Sequence, residues 1–334
     1  MSGLALAVAV ALAFDLTNGF HDSANSVAAL VATRAARPAA AILLVSVFYM
    51  LGPFLAGTAV ADTVGGLVTL DGTTAITSVG AALTGALAWN LLTWWRGLPS
   101  SSSHALVGGL VGAAMVEAGG GAVHWGGVEG LRPAGVLGVL AALAVSPLLG
   151  FGAGLLGARA ARRATRRASV AMRRSVLRAE WFTASALAFS NGANDAQKTM
   201  GVITLLLVAD GRLDTFSVPV WVKLAAAITL TFGTSLGGWR IVRTVGGGIY
   251  RLRPLDGLVS QSGSAAVVLT SAAIGAPVST THVVASSVVG VGAGQRWRHV
   301  RWAVVREMGL GWLVTLPASA ALGAAAVPVW RWLV

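Results

Sequence analysis

The chain has 334 residues, 55% hydrophobic and only 11% charged, against the about 25% charged residues of an ordinary soluble domain. Its 24 Lys and Arg outnumber 12 Asp and Glu, giving a formal net charge of +12, yet the mean hydropathy is +0.76. The basic residues therefore punctuate apolar stretches instead of coating a nucleic-acid surface, and the absence of Cys excludes a disulfide framework and a thiolate metal site.

Apolar stretches of about 18 residues or more with few charges read as membrane spans. Residues 39–61, 74–95, 134–157, 219–237 and 302–327 meet that test, and 3–33, 99–117, 181–209, 258–275 and 278–294 complete a set of five spans per half. Met1 to Phe14 lacks a basic leader and reads as part of the first span, not as a cleaved signal. At 1.5 Å per residue the stretch 3–33 is about 46 Å long, too long for one straight span, so it must tilt, break or turn back.

The loops set an orientation. With the N-terminus outside, the inside loops hold Arg34 and Arg37, Arg96, eight Arg from Arg159 to Arg178, then Arg240, Arg243, Arg251, Arg253, Arg296, Arg298 and Arg301. The outside loops hold Asp62 with Asp71, Glu117 and Glu129 with Arg132, and Arg212 with Asp210 and Asp214. Basic residues concentrate on the cytoplasmic side, so both termini are expected outside, and the arginine-rich loop is expected against anionic headgroups. Five spans is an odd number, so the second half is expected to be inverted relative to the first. The predicted organisation is a first repeat over 1–157, a basic cytoplasmic loop over 158–180 and a second repeat over 181–334. The predicted fold is an all-α polytopic membrane protein with ten to twelve transmembrane helices in two inverted-topology repeats.

Three motifs recur in the same order. Asn18-Gly19-Phe20-His21-Asp22 pairs with Asn191-Gly192-Ala193-Asn194-Asp195, and Thr63 to Gly66 pairs with Thr244 to Gly247. Pro99-Ser100-Ser101-Ser102-Ser103-His104 pairs with Pro277-Val278-Ser279-Thr280-Thr281-His282. Three matches in register point to duplication. These are the most polar parts of apolar segments, and such groups at membrane depth usually line a site. The Gly and Asn beside them favour broken or re-entrant helices there.

Each Pro–hydroxyl run predicts a helix start, where free N–H groups and the helix dipole bind phosphate-like anions. Two related starts would grip a tetrahedral oxyanion from both sides. Ser102, Ser103, Thr280 and Thr281 are the leading anion ligands, with Ser101, Ser279, Asn25 and Asn194 beside them; plain helix capping is the alternative. His104 and His282 either contact substrate and relay protons or orient the hydroxyl run. Asp22 and Asp195 suit a hard cation, Na⁺ or a divalent metal, or else a coupling proton. Asp15, Asn18, Asn191 and His21 lie close enough in sequence to contribute; an interhelical hydrogen-bond network is the alternative. Lys198, one of two Lys in the chain, stands where the first repeat has Asn25. It is either a fixed cation near Asp195 or a snorkelling side chain. Gly108, Gly109 and Gly112 read as close helix packing.

The runs Asn18 to Asn25 with Thr33-Arg34, Trp89-Asn90, Gly97 to His104, Asn191 to Lys198 and Pro277 to His282 together resemble the inorganic phosphate transporter (PiT) family over nearly the full chain. The resemblance implies phosphate symport in a bacterial plasma membrane, a pseudo-symmetric transport unit and a homodimer. It is nearest to the low-affinity Pit branch, which implies proton coupling, with phosphate partly carried as metal–phosphate and no resident cofactor. Sodium-coupled relatives tend to carry Gly-Ala-Asn-Asp-x-x-Asn in both halves; His21-Asp22 and Lys198 depart from that pattern, and a short Arg-rich loop replaces the family's long central insertion. Alternatives within this fold are sodium coupling and sulfate as cargo. An anion channel is a different class, and a Ser–His enzyme is disfavoured because adjacent Ser103 and His104 need not face each other on a helix.

Overall fold

The computed structural model describes residues 3–129, 132–167 and 172–334. Twelve helices carry the described chain: α1 (Gly3–Ala32), α2 (Pro38–Leu55), α3 (Ala59–Gly65), α4 (Gly72–Arg96), α5 (Ser102–Glu117), α6 (Gly135–Ala164), α7 (Met172–Ala209), α8 (Val220–Leu236), α9 (Trp239–Arg243), α10 (Pro254–Ala273), α11 (Thr280–Gln295) and α12 (Trp302–Leu333). A hairpin of two three-residue strands, Gly127–Glu129 and Arg132–Ala134, joins α5 to α6. Among the described residues α1, α2, α4, α6 and α12 are each long and apolar enough to cross a membrane alone. A sixth such unit is α8 with α9 and the π-turn after it, bent by 60°. α5 and α11 are too short at 16 residues, and α7 and α10 are long enough but too polar.

The helix boundaries follow local chemistry. Pro38 opens α2, where its missing N–H costs nothing. Gly97 closes α4 in a left-handed conformation at φ 68°, and Pro99 prevents the helix from resuming. α5 and α11 begin alike: Ser101 and Ser279 sit in extended backbone and accept from the N–H groups of His104 and His282 at 3.2 and 3.3 Å. At 16 residues each they are about 24 Å long, short of a ~30 Å hydrocarbon core.

Two expectations change. The motifs Asn18–Asn25 and Asn191–Lys198 do not break their helices; α1 and α7 run through them unbroken for 30 and 38 residues. Several motif side chains bond one another or residues on other helices, and none displaces a bond of its own helical ladder. The breaks fall instead before α5 and α11, and between α8 and α9. The predicted loop over 158–180 is also mostly helix, since α6 runs to Ala164 and α7 starts at Met172; residues 168–171 of that loop lie outside the described residues.

The packing interleaves the two halves. α1 lies along α8 and α2 along α7, while α5 lies along α12 and α6 along α11. Equivalent glycines allow close backbone approach in both halves. A Cβ on Gly19 would sit 2.8 Å from Thr234 N on α8, and one on Gly192 would sit 2.5 Å from Tyr49 O on α2. Gly108, Gly109 and Gly112 abut backbone of α12 and α4, in keeping with the packing role expected of them.

Candidate functional site

α1 and α7 each carry a carboxylate and a nitrogen donor three residues on, hence on one helix face. On α1, Asn25 Nδ2 donates to Asp22 Oδ1 at 2.7 Å. On α7, Lys198 Nζ donates to Asp195 Oδ1 at 2.6 Å. All four side chains are buried, Lys198 being 1% exposed and Asp195 0%. A lysine this deep is held by its charge partner and has not snorkelled to an interface.

The start of α11 bridges the pair. Thr281 Oγ1 donates to Asp22 Oδ1 at 2.7 Å and accepts from Asn25 Nδ2 at 3.2 Å. Thr280 Oγ1 donates to Asp195 Oδ2 at 3.4 Å. The two carboxylates are themselves near enough to interact. The α5 start approaches from the other half: Ser103 Oγ donates to Val278 O at 3.2 Å, while Ser102 is buried beside it. Two hydroxyl-bearing helix starts thus meet beside two carboxylates and one ammonium.

The histidines divide. His104 Nδ1 lies 2.8 Å from Ser101 Oγ, and its ring meets that of His282 with centroids 4.7 Å apart. His282 packs in turn on Trp312 at 4.0 Å, and Trp312 Nε1 donates to Pro99 O at 2.9 Å. The two helix starts are therefore clasped through their histidines, although His282 Nε2 has no partner among the described residues. His21 does not join the cluster; its Nε2 pairs with Asn90 O at 2.7 Å and fixes α1 to α4.

Of the remaining residues singled out by sequence, Asp15 Oδ1 accepts from Thr199 Oγ1 at 2.9 Å, and Asn191 Nδ2 donates to Ser26 Oγ at 3.2 Å. Asn194 Nδ2 reaches Ala276 O at 3.5 Å, just before the α11 motif. Six buried acceptor oxygens here have no partner among the described residues: Asp15 Oδ2, Asn18 Oδ1, Asp22 Oδ2, Asn25 Oδ1, Asn191 Oδ1 and Asn194 Oδ1. Buried acceptors of this kind are costly to leave unmet, and hard oxygens suit Na⁺ or a proton. Among the described residues no group of three or more His, Asp or Glu is placed to hold a metal ion.

Some members of the site were not singled out from sequence. Tyr49, fully buried on α2, donates to Asp22 O at 3.1 Å; a Tyr inside an apolar span, one of two in the chain, was a readable signal. Gln197 Oε1 accepts from Val60 N at 2.8 Å and caps α3, a contact 137 residues apart that no local pattern encodes. Glu180, assigned to the basic loop, is buried and accepts from Thr33 Oγ1 at 2.8 Å.

Comparison with known proteins fits this arrangement. The model of the family described as "Phosphate transporter family" matches residues 18–180 and 171–323. A Mycobacterium bovis protein called a "probable low-affinity inorganic phosphate transporter" is 43% identical over 325 residues, spanning 96% of this chain and 76% of the relative. A Bacillus subtilis protein of the same description is 39% identical over 327 residues, spanning 96% of this chain and 95% of its own length. The Escherichia coli low-affinity inorganic phosphate transporter PitA is 35% identical over 231 residues, 61% of this chain and 46% of its own. A solved structure described as "The sodium-dependent phosphate transporter" superposes with a TM-score of 0.84 over 100% of both chains at 22% identity, which establishes the shared fold. The chain is a multi-pass membrane protein and belongs to the phosphate transporter family.

Proposed function

We propose that the chain carries inorganic phosphate across the plasma membrane by symport, with protons as the driving ion and alternating access between two inverted repeats. The observation that carries this reading is the bond from Thr281 to Asp22 at 2.7 Å. The hydroxyl that would serve the anion is engaged by the carboxylate that would serve the cation. When Asp22 takes a proton it no longer attracts that hydroxyl as a charged acceptor, and Thr281 is released toward an incoming phosphate together with Ser102, Ser103 and Thr280. Cation loading thereby precedes anion binding.

Charge balance supports the same order. Ionised Asp15, Asp22 and Asp195 with Lys198 sum to −2, a hostile setting for a second anion in a low-dielectric interior. Protonation of two carboxylates would remove that repulsion. The equivalent glycine contacts and equivalent Ser caps in the two halves support the repeat. Uptake of labelled phosphate into liposomes, with proton and sodium gradients imposed separately and sulfate as competitor, tests the reading. Uptake driven by the sodium gradient alone, or equal uptake of sulfate, overturns it.

A sodium-coupled reading is favoured by the unpartnered oxygens of Asp22, Asn25, Asn18, Asn191 and Asn194, a hard-donor set. The superposed protein, described as sodium-dependent, points the same way. Lys198 weighs against two such ions, because its ammonium already occupies Asp195. The pair of carboxylates would admit a divalent metal only with oxygens from the phosphate or from water completing its shell.

A further inference from the structure

We propose that the end of α6 forms a headgroup site for an anionic phospholipid, distinct from the transport site. Arg159, Arg162 and Arg163 follow i, i+3, i+4 spacing at the end of α6, and Arg166 joins them from the turn just after it. With Gly294 of α11 they line a pocket of about 490 Å³, within the range of small-molecule sites. No acidic side chain lines it, and none of the four pairs with a carboxylate among the described residues. Four guanidinium groups crowded without an anion repel one another.

Arg162 shows where an anion would sit. Its Nη2 donates to Gly294 O in the last turn of α11, the helix end that favours a cation. Its Nη1 is buried and has no partner among the described residues. A guanidinium binds phosphate in a bidentate fork, and this one has a buried N–H to spare beside three exposed neighbours.

The surface below the pocket selects a lipid over free phosphate. Leu149 and Leu156 are 47% and 63% exposed, and one more heptad step reaches Arg163. Leu148, 70% exposed, lies beside them. An apolar ridge rising about 10 Å from Leu156 to Arg163 and ending in arginines offers an acyl chain and its phosphodiester one continuous track. Basic pockets between helices at the cytoplasmic face bind such headgroups, and the loop charges assign this end to that face.

The test is thermal unfolding of the delipidated full chain in detergent with added phosphatidylglycerol, phosphatidylcholine or inorganic phosphate. Phosphatidylglycerol is expected to raise the midpoint by several degrees and phosphatidylcholine to leave it unchanged. In the triple variant Arg159→Gln, Arg163→Gln, Arg166→Gln more than half of that rise should vanish. The variant Arg96→Gln, Arg243→Gln, which removes charge from a separate cavity, should keep it. Arg163→Gln alone, at an exposed side chain, should retain less phosphatidylglycerol than wild type in native mass spectrometry, even if the triple variant fails to fold. A rise with inorganic phosphate that the triple variant loses as it loses the phosphatidylglycerol rise would reveal a free-anion site at these arginines and overturn the lipid assignment. Unchanged retention in Arg163→Gln, or equal loss in the Arg96/Arg243 variant, would overturn the site.

Discussion

The same position in the two halves carries two different answers to one electrostatic problem. On α1 a buried aspartate, Asp22, is met by a neutral amide, Asn25, and a hydroxyl, Thr281. On α7 the matching aspartate, Asp195, is met by an ammonium, Lys198, at the same three-residue step. The first carboxylate has no positive charge bonded to it, whereas the second has one carried on its own helix. In the proposed symport each carboxylate is a cation position, and Lys198 fills the second. The half with Asn25 is left as the exchangeable one.

That contrast can be broken directly. Asp22→Asn is expected to reduce phosphate uptake to background while the protein still folds and inserts, because the amide neither takes up nor releases a proton; wild-type uptake would falsify the assignment. Lys198→Met should be the most damaging to stability, since it strands Asp195 as an uncompensated buried charge, about 3–5 kcal/mol by analogy with broken buried pairs. Asn25→Ala should cost nearer ~1 kcal/mol, a neutral hydrogen bond. Thermal unfolding of the two variants in one detergent reads the difference, and equal losses would remove the asymmetry. Lys198→Asn sharpens the point: it recreates the Asp22–Asn25 arrangement on α7, and uptake should gain a steeper dependence on the proton gradient.

Smaller effects follow from the bridge. Thr281→Val should raise the phosphate KM more than Thr280→Val, because the bond at 281 is 2.7 Å and that at 280 is 3.4 Å. Hydrogen bonds to charged groups contribute about 1.5–3 kcal/mol, and the longer one falls below that range. Concentration dependence of uptake in both variants decides it. Smallest and most symmetric are the caps: Ser101→Ala and Ser279→Ala should each destabilise by about 1 kcal/mol, to a similar degree in both halves.

The sequence revealed which polar side chains cluster better than it revealed the helices that carry them. Asp22, Asn25, Asp195, Lys198, Thr280 and Thr281 were readable because polar residues stand out in apolar segments and their motifs recur in the same order in both halves. Helix continuity was not readable. Gly19 and Gly192 look like breakers in isolation, but they serve the close approach of α8 and α2, which only the packed bundle reveals. His21 was placed with its neighbour Asp22, yet adjacent residues point about 100° apart on a helix, and its ring reaches α4. Tyr49 and Gln197 act across 27 and 137 residues, beyond any local pattern.

The capping contacts cross between the halves in both directions. Gln197 of the second half caps α3 of the first, and Ser23 of the first half accepts from Gly238 N at the start of α9 in the second. With α6 lying on α11 and α5 on α12, the first half leaves the ribosome with its main packing partners still unsynthesised. It must wait in the bilayer, with α3 uncapped and its glycine faces open, until α7 onward arrives. Biogenesis is therefore a late, single closure rather than two successive ones, and a truncated first half would be a substrate for quality control and not a half-built transporter.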